Sequence, residues 1–516
     1  MKKLKHMIIQ VLVFLMLLLY FSTRWCIDNF GNIGLNEIVF TLNMPLKGTA
    51  NSYFLTYFLR AFCPAVVMFG LELFASIHKP KRKYSIRFSF RDRTTEIFIL
   101  PFRLNTIVWI LVFLIGFGEI ITIADDNFAV FDYVKNQMDA STFIENVYVD
   151  AGTVDITFPE QKRNLICIYI ESAETSFQDK ENGGLLDDNL IPEMTKLALE
   201  NVSFSQSELI EGAAVAPACG WTMAGLVAQT SGLPLKLFKY DATQDGVDNA
   251  MEKYAQFMPG ATAIGEILER EGYKNVFMAG SDFTFGGRRD YFTQHGNYEI
   301  WDYDTAIALE KVPADYQEGW GFEDARLYTF AKEKLIELAE SGQPFNFSML
   351  TVDTHAGGGY LCALCPNTYD KQYANVWACA SHQVYDFVEW IKEQDFYENT
   401  TICITGDHCS MEADFFEEHA YYERHLGETE RKVYNVFINA AVAPVKEKNR
   451  KFTTMDIYPT VLAGIGAKIE GNRLGMGTSL FSDVPTIAEE YGYEEMFTEL
   501  NKKSGFYDTN ILYPEK

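Results

Sequence analysis

Four residues set far apart in this 516-residue chain could together hold a cation and attack a phosphate: Glu171, Thr222, Asp407 and His408. Carboxylate, hydroxyl and imidazole form a donor set that suits Mn²⁺, Mg²⁺ or Zn²⁺, and ligand softness alone does not choose among them. A hydroxyl beside such a cation is acidified and oriented, which makes a feeble nucleophile competent. Thr222 lies in A-P-A-C-G-W-T-M-A-G, residues 216–225, where Pro217 and Gly220 introduce a small-residue helix with Thr222 in its first turn. The free N–H groups of a helix N-terminus attract anions, so a phosphate held there would face that hydroxyl. Two further clusters carry polar groups: T-V-D-T-H-A-G-G-G at 351–359, with His355, and I-T-G-D-H-C-S at 404–410. Singly, each has a plain structural reading, since a D-H pair after a strand is commonly a cap or turn. Their shared placement argues for chemistry.

That placement depends on the elements around them. Leu165–Ile170 is an unbroken apolar run, the pattern of a strand buried on both faces of a parallel sheet, and it ends in Glu171. Further strands are expected at Val276–Ala279, Phe345–Val352, Thr401–Thr405 and Val433–Ile438. Helical patterns fall between them, at Pro192–Glu200, Gly220–Gln229, Thr262–Glu271, Asp324–Ser341, Val376–Gln394 and Thr454–Leu462. Such alternation predicts an α/β fold with a largely parallel sheet. Ligands of these folds sit beyond the carboxyl ends of the strands, where the polar clusters fall.

The charge is divided. Residues 1–124 carry 14 Lys and Arg against 6 Asp and Glu, a net of +8, and residues 125–516 carry 30 against 64, a net of −34. So acidic a remainder argues against a nucleic-acid partner, whose phosphates it would repel. The basic front holds three apolar stretches, at about 7–22, 54–77 and 104–124, each near the length that spans a bilayer. No small-residue cleavage site follows the first, which reads as an uncleaved anchor. Lys2, Lys3 and Lys5, and the loop from His78 to Arg93 with its seven Lys and Arg, belong in the cytoplasm by the positive-inside rule. Three spans then place everything after Ala124 outside. The expected domains are a membrane part at 1–124, a linker at 125–161, a catalytic domain at 162–482 and a peripheral tail at 483–516. Among nine cysteines, Cys362 and Cys365 form a C-x-x-C, and the expected disulfide outside the cytoplasm is Cys365–Cys379.

The segments I-Y-I-E-S-A-E-T-S-F, W-T-M-A-G-L-V-A-Q-T-S-G-L-P-L, G-W-G-F-E-D, L-T-V-D-T-H and I-T-G-D-H are the most specific in the chain. Through them, from about Leu35 to Ser479, it resembles the phosphoglycerol transferases of the alkaline-phosphatase/sulfatase superfamily, a group close to the lipoteichoic acid synthases. The resemblance implies an α/β/α sandwich behind N-terminal transmembrane helices. It implies that Glu171, Thr222, Asp407 and His408 bind one divalent cation, Mn²⁺ foremost, with Thr222 doubling as nucleophile. His355 takes the place of the substrate-binding histidine, and Arg288 in F-G-G-R-R-D-Y-F that of the arginine on the phosphoglycerol, with Arg289 beside it as a competing alignment. Trp320 in G-W-G-F-E-D is expected in the wall of the cleft. The donor implied is phosphatidylglycerol and the acceptor a glycan or polyol phosphate, in a multi-pass protein of a bacterial cell membrane. Phosphatidylethanolamine is the alternative donor, and a non-catalytic anchored ectodomain the alternative to an enzyme. Cys219 follows Pro217 but no C-x-P-x-R is present, which disfavours a formylglycine sulfatase.

Overall fold

The computed structural model describes residues 2–30, 34–43, 47, 49, 51–77, 84–90, 93–99, 101–236, 256–412, 415–416 and 431–514. Two compact units emerge: residues 1–33 with 50–131, and residues 34–49 with 132–516.

In the first unit, Lys2–Phe30 is one helix, Cys63–Ile77 ends a second helical stretch that begins at Asn51, and Pro101–Phe128 is a third helix. Gln10–Phe30 and Ser52–Leu71 are long and apolar enough to cross a membrane. The Tyr84–Phe90 and Arg93–Ile99 strands pair antiparallel. The basic positions Lys79, Lys81, Arg82, Lys83 and Arg91 lie outside the described residues.

The second unit is built on a six-stranded sheet. Its strands are β1 (Asn164–Ile170), β2 (Lys274–Ala279), β3 (Glu299–Trp301), β4 (Phe345–Leu350), β5 (Thr400–Gly406) and β6 (Asn435–Ile438). Their order is β3-β2-β4-β1-β5-β6. Every pairing is parallel except β5 with the edge strand β6. Along β1 the side chains alternate between two buried clusters, Leu165, Cys167 and Tyr169 on one face and Ile166, Ile168 and Ile170 on the other. A two-residue period with both faces covered is why this run contains no polar break. The short strand β3 has no apolar run to announce it and was not expected.

The boundaries drawn from composition differ from those of the folded chain. Residues 34–49, between two apolar helices in sequence, belong to the second unit, and their helix Leu35–Asn43 buries Phe40 against Trp221 at a ring separation of 5.7 Å. Lys47 pairs with Asp304 at 2.7 Å and Asp282 at 3.2 Å. The stretch expected to be a linker buries Phe143, Ile144 and Val147, and its Ile156–Thr157 pairs with Lys468–Ile469. The stretch expected to be a peripheral tail also joins the core, through Ile487, Met496, Leu500 and Tyr507. Acidic residues on the outer side of the Tyr493–Asn501 helix dominate its composition, whereas Met496, Phe497 and Leu500 share its inner face at helical spacing.

Candidate functional site

Parallel register brings the acidic ligands together. Ile170 pairs with Gly406 across β1 and β5, so Glu171 and Asp407 leave neighbouring strands at the same level. The chain turns sharply after Glu171, with Ser172 left-handed at φ 61°. That turn aims the Ser172 N–H at Asp407 Oδ1 (2.8 Å) and lets its hydroxyl donate to Glu171 Oε1 (2.8 Å). β4 contributes from the other side. Thr351 Oγ1 accepts the Glu171 N–H at 3.1 Å, and Thr354 Oγ1 donates to the Glu171 carbonyl at 2.6 Å. The two threonines of T-V-D-T-H therefore fasten the backbone of the glutamate that follows β1.

The Thr222–Ser231 helix supplies the hydroxyl. It approaches the end of β5 so closely that a Cβ on Gly225 would lie 2.0 Å from the Asp407 carbonyl oxygen. Gln229 Nε2 bonds the Gly406 carbonyl at 2.8 Å and sets the helix against the strand end. Glycine serves here for the lack of a side chain, because the backbones meet. Thr222 Oγ1 comes to lie 3.3 Å from Glu171 Oε2 and 3.4 Å from His408 Nε2. His408 Nε2 is in turn 3.3 Å from Glu171 Oε1 and 3.5 Å from Asp407 Oδ2. One ligand atom from each of Glu171, Asp407 and His408 falls within 4.8 Å of the others.

A polymer of this fold with this centre has relatives. The family model described as sulfatase matches residues 163–467. The chain belongs to the sulfatase family. It is 29% identical over 357 residues to phosphoglycerol transferase I of Xanthomonas euvesicatoria pv. vesicatoria (strain 85-10), covering 66% of this chain and 47% of that protein. It is 30% identical over 364 residues to phosphoglycerol transferase I of Shigella flexneri, covering 69% of this chain and 43% of that one. The chain thus spans less than half the length of these curated relatives. Among solved structures, the lipoteichoic acid synthase LtaP from Listeria monocytogenes superposes with a TM-score of 0.47 at 17% identity, over 66% of this chain and 80% of that one.

In this sulfatase-family chain the centre is arranged electrostatically for a cation. Glu171, Asp407 and His408 are buried to within 3% of complete exclusion from solvent. Burial alone would raise the Glu171 carboxyl, but the His408 charge and hydrogen bond, His355 and the Ser172 hydroxyl hold it well below the usual carboxylate range. Asp407 is pushed up to about 7, by burial first and then by the Glu171 charge. Burial opposes charge on His408, yet Asp407 and Glu171 beside it raise it to about 10. Two carboxyls are thus confined around one positive charge. Asp407 Oδ2 accepts no hydrogen bond, which leaves an oxygen aimed into the centre. His408 Nδ1 faces the Cys409 carbonyl at 2.7 Å, so a proton there turns the Nε2 lone pair inward. An orphaned carboxylate oxygen, an oriented imidazole and a converging hydroxyl fit a divalent cation.

The remaining candidates are joined by ring contacts through Phe285. Arg288 is buried, with its guanidinium held by the Asp282 carbonyl (Nη2, 2.8 Å) and the Phe285 carbonyl (Nε, 3.1 Å), over the rings of Phe283 and Phe285. Burial lowers it to about 10 against the pull of Glu171, Asp282, Asp302 and Asp407. Arg289 instead ion-pairs with the buried Asp302. Trp320 packs on Phe285 (5.4 Å between centroids) and on His355 (4.6 Å).

The partners of several supporting groups could not be read from the sequence, which offered Glu174 either as a support for Glu171 or as a first-turn helix acid. Asp324, from G-W-G-F-E-D, accepts the Val352 and Asp353 N–H groups at 2.8 and 3.1 Å, while Asp353 accepts the Asp324 N–H at 3.2 Å. This reciprocal pair ties the two motifs together. Burial, then mutual repulsion, raises Asp353 to about 10, and burial raises Asp324 to about 7. Glu174 forms a buried ion pair with Arg431 and accepts the Ser410 N–H at 3.0 Å, which fixes the turn that follows His408. The acidic residues were visible in sequence, but their partners lie more than 25 residues away. No disulfide forms between Cys365 and Cys379: all nine cysteines are free, and Cys362 stands with both.

Proposed function

We propose that the chain is a metal-dependent phosphoglycerol transferase that moves glycerol phosphate from phosphatidylglycerol to a hydroxyl of a glycan or polyol-phosphate acceptor. The observation that carries this reading is the convergence of the Thr222 hydroxyl with Glu171, Asp407 and His408 at the start of a helix. Those four residues would hold a divalent cation, Mn²⁺ in this reading, which would supply Lewis-acid chemistry by acidifying the threonine hydroxyl and offsetting phosphoryl charge. Thr222 Oγ1 attacks phosphorus, the bond from phosphorus to the diacylglycerol oxygen breaks, the proton lost by the threonine is balanced by one delivered to that leaving oxygen, which departs as diacylglycerol, and glycerol phosphate remains esterified to Thr222. Arg288 and His355 hold phosphate or glycerol oxygens, and Trp320 walls the glycerol. An acceptor oxygen then forms the new bond to phosphorus, receives the group and frees the threonine. A helix N-terminus serves both steps, since charge on the phosphoryl oxygens persists through each.

The apolar N-terminal helices and the curated relatives named as phosphoglycerol transferases support a membrane-anchored enzyme. In this reading the anchor is multi-pass, the basic ends face the cytoplasm, and the catalytic unit lies outside, next to lipid headgroups whose effective concentration is thereby raised.

The test is diacylglycerol release from labelled phosphatidylglycerol by the full chain in detergent with Mn²⁺. Thr222→Ala should lower it by at least about a thousand-fold. Equal release by the variant refutes the nucleophile. Faster release from phosphatidylethanolamine would transfer the proposal to that donor, and no release from either, with no cation lost in Asp407→Ala, would leave a non-catalytic ectodomain.

A further inference from the structure

Cys362, Cys365 and Cys379 meet in one cluster away from the centre above. The Cys362 sulphur lies 3.6 Å from that of Cys365 and 3.7 Å from that of Cys379, and all three lie within 4.8 Å of one another. Cys362 and Cys379 are buried, and Cys365 reaches toward solvent. Tetrahedral Zn²⁺ with bonds of about 2.3 Å sets neighbouring thiolate sulphurs about 3.8 Å apart, close to the two shorter separations. The C-x-x-C lies in a loop and the third cysteine on the Gln372–Lys392 helix, so the sulphurs approach from two elements.

A second observation points to the same ligand. Gln383, one helical turn after Cys379 and 8% exposed, places its side-chain amide nitrogen 3.2 Å from the Cys379 sulphur and 3.8 Å from that of Cys362, while its Oε1 has no partner. Amide N–H groups aimed at sulphur favour thiolate over thiol, and the thiolate is the metal-binding form. The N and O of such an amide are assigned from their partners. Binding a cation would turn this amide over, exchanging its N–H contacts for an oxygen donor beside the Cys379 and Cys362 sulphurs.

We propose that Cys362, Cys365 and Cys379 bind one Zn²⁺ ion, with the Gln383 carboxamide or a water at the fourth position, as a structural site separate from the catalytic cation. A disulfide would join two of the sulphurs and strand the third, whereas a cation engages all of them. The site pins the loop that carries His355 to the helix behind it. Gln372 already bonds the Gly358 and Gly359 carbonyls of that loop at 3.1 and 3.0 Å, and the Tyr373 hydroxyl bonds the Thr354 carbonyl at 2.9 Å. The inference stands on the cysteine geometry and does not require the transferase reading.

The experiment is elemental analysis, intact mass and Co²⁺ substitution on the full chain purified in detergent. Wild type should hold one zinc equivalent that survives Asp407→Ala and is lost in Cys362→Ser/Cys379→Ser. Its Co²⁺ form should show sulphur-to-cobalt charge-transfer absorption that the double variant lacks. Gln383→Leu, which leaves every cysteine in place, should weaken zinc about ten-fold in chelator competition. A mass two hydrogens short in untreated protein, marking a disulfide within the cluster, overturns the proposal. So does equal zinc in wild type and the double variant, or a Co²⁺ spectrum without thiolate bands.

Discussion

Lowering the pH from 8 to 6 should weaken cation binding at the Glu171–Asp407–His408 centre far more than an ordinary carboxylate site would allow. His408 titrates at about 10 and Asp407 at about 7, whereas Glu171 stays ionised well below that range. A cation needs the imidazole nitrogen free and both carboxylates charged, so binding displaces about one proton at pH 8 and close to two at pH 6. The imidazole contributes about a hundred-fold loss over this interval and the Asp407 carboxyl about ten-fold, on the order of a thousand-fold together. Glu171 contributes nothing to the slope. Calorimetric titration of the full chain with Mn²⁺, in buffers of different ionisation enthalpy, reads affinity and proton release together. Asp407→Asn should bind more weakly at pH 8 and lose the steeper slope below about pH 7. An affinity that is equal at the two pH values, or a slope unchanged in Asp407→Asn, would refute the raised His408 and Asp407 of the centre.

Gly225→Ala would drive a methyl group to 2.0 Å from the Asp407 carbonyl, so the helix must retreat and take Thr222 with it. Turnover should fall by about a hundred-fold while circular dichroism stays native, since misplacement of about 1 Å is enough; wild-type turnover would show that the approach is not critical. Asp353→Asn tests the buried acid pair. The folded carboxyl keeps its proton up to about 10, but the unfolded one releases it near pH 4, so wild-type stability falls as pH rises between these limits, by on the order of 1 kcal/mol per unit. The variant should lose less stability than wild type between pH 5 and pH 8 in denaturant titrations, and parallel curves would contradict the raised acid. Phe40→Ala removes a side chain 3% exposed, which should weaken docking of residues 34–49 by about 3 kcal/mol and increase protease cleavage there; unchanged cleavage would mean the segment is held by other contacts.

The motif residues were legible because chemistry constrains their types. The strands were legible because burial on both faces leaves an unbroken apolar run in β1 and a mostly apolar one with no charged residue in β4 and β5. The pairing of Asp324 with Asp353 and of Glu174 with Arg431 could not be read, since each joins residues that only packing makes neighbours. Residues 34–49 and 483–516 were misjudged for a related reason. Composition averages over a helix, whereas burial is decided by one face, as Phe40 and Met496 show.

By itself the sequence determined the apolar N-terminal stretches, the α/β alternation and the identities of the groups after each strand, because period and polarity are local properties. Tertiary structure alone decided that Glu171 and Asp407 stand level, that Gly225 lets Thr222 approach them, that Arg289 pairs with Asp302 while Arg288 is held by the Asp282 and Phe285 carbonyls, and that three cysteines gather where a single disulfide was expected. Strand register and backbone contact set those distances, and both arise from packing between segments up to more than two hundred residues apart.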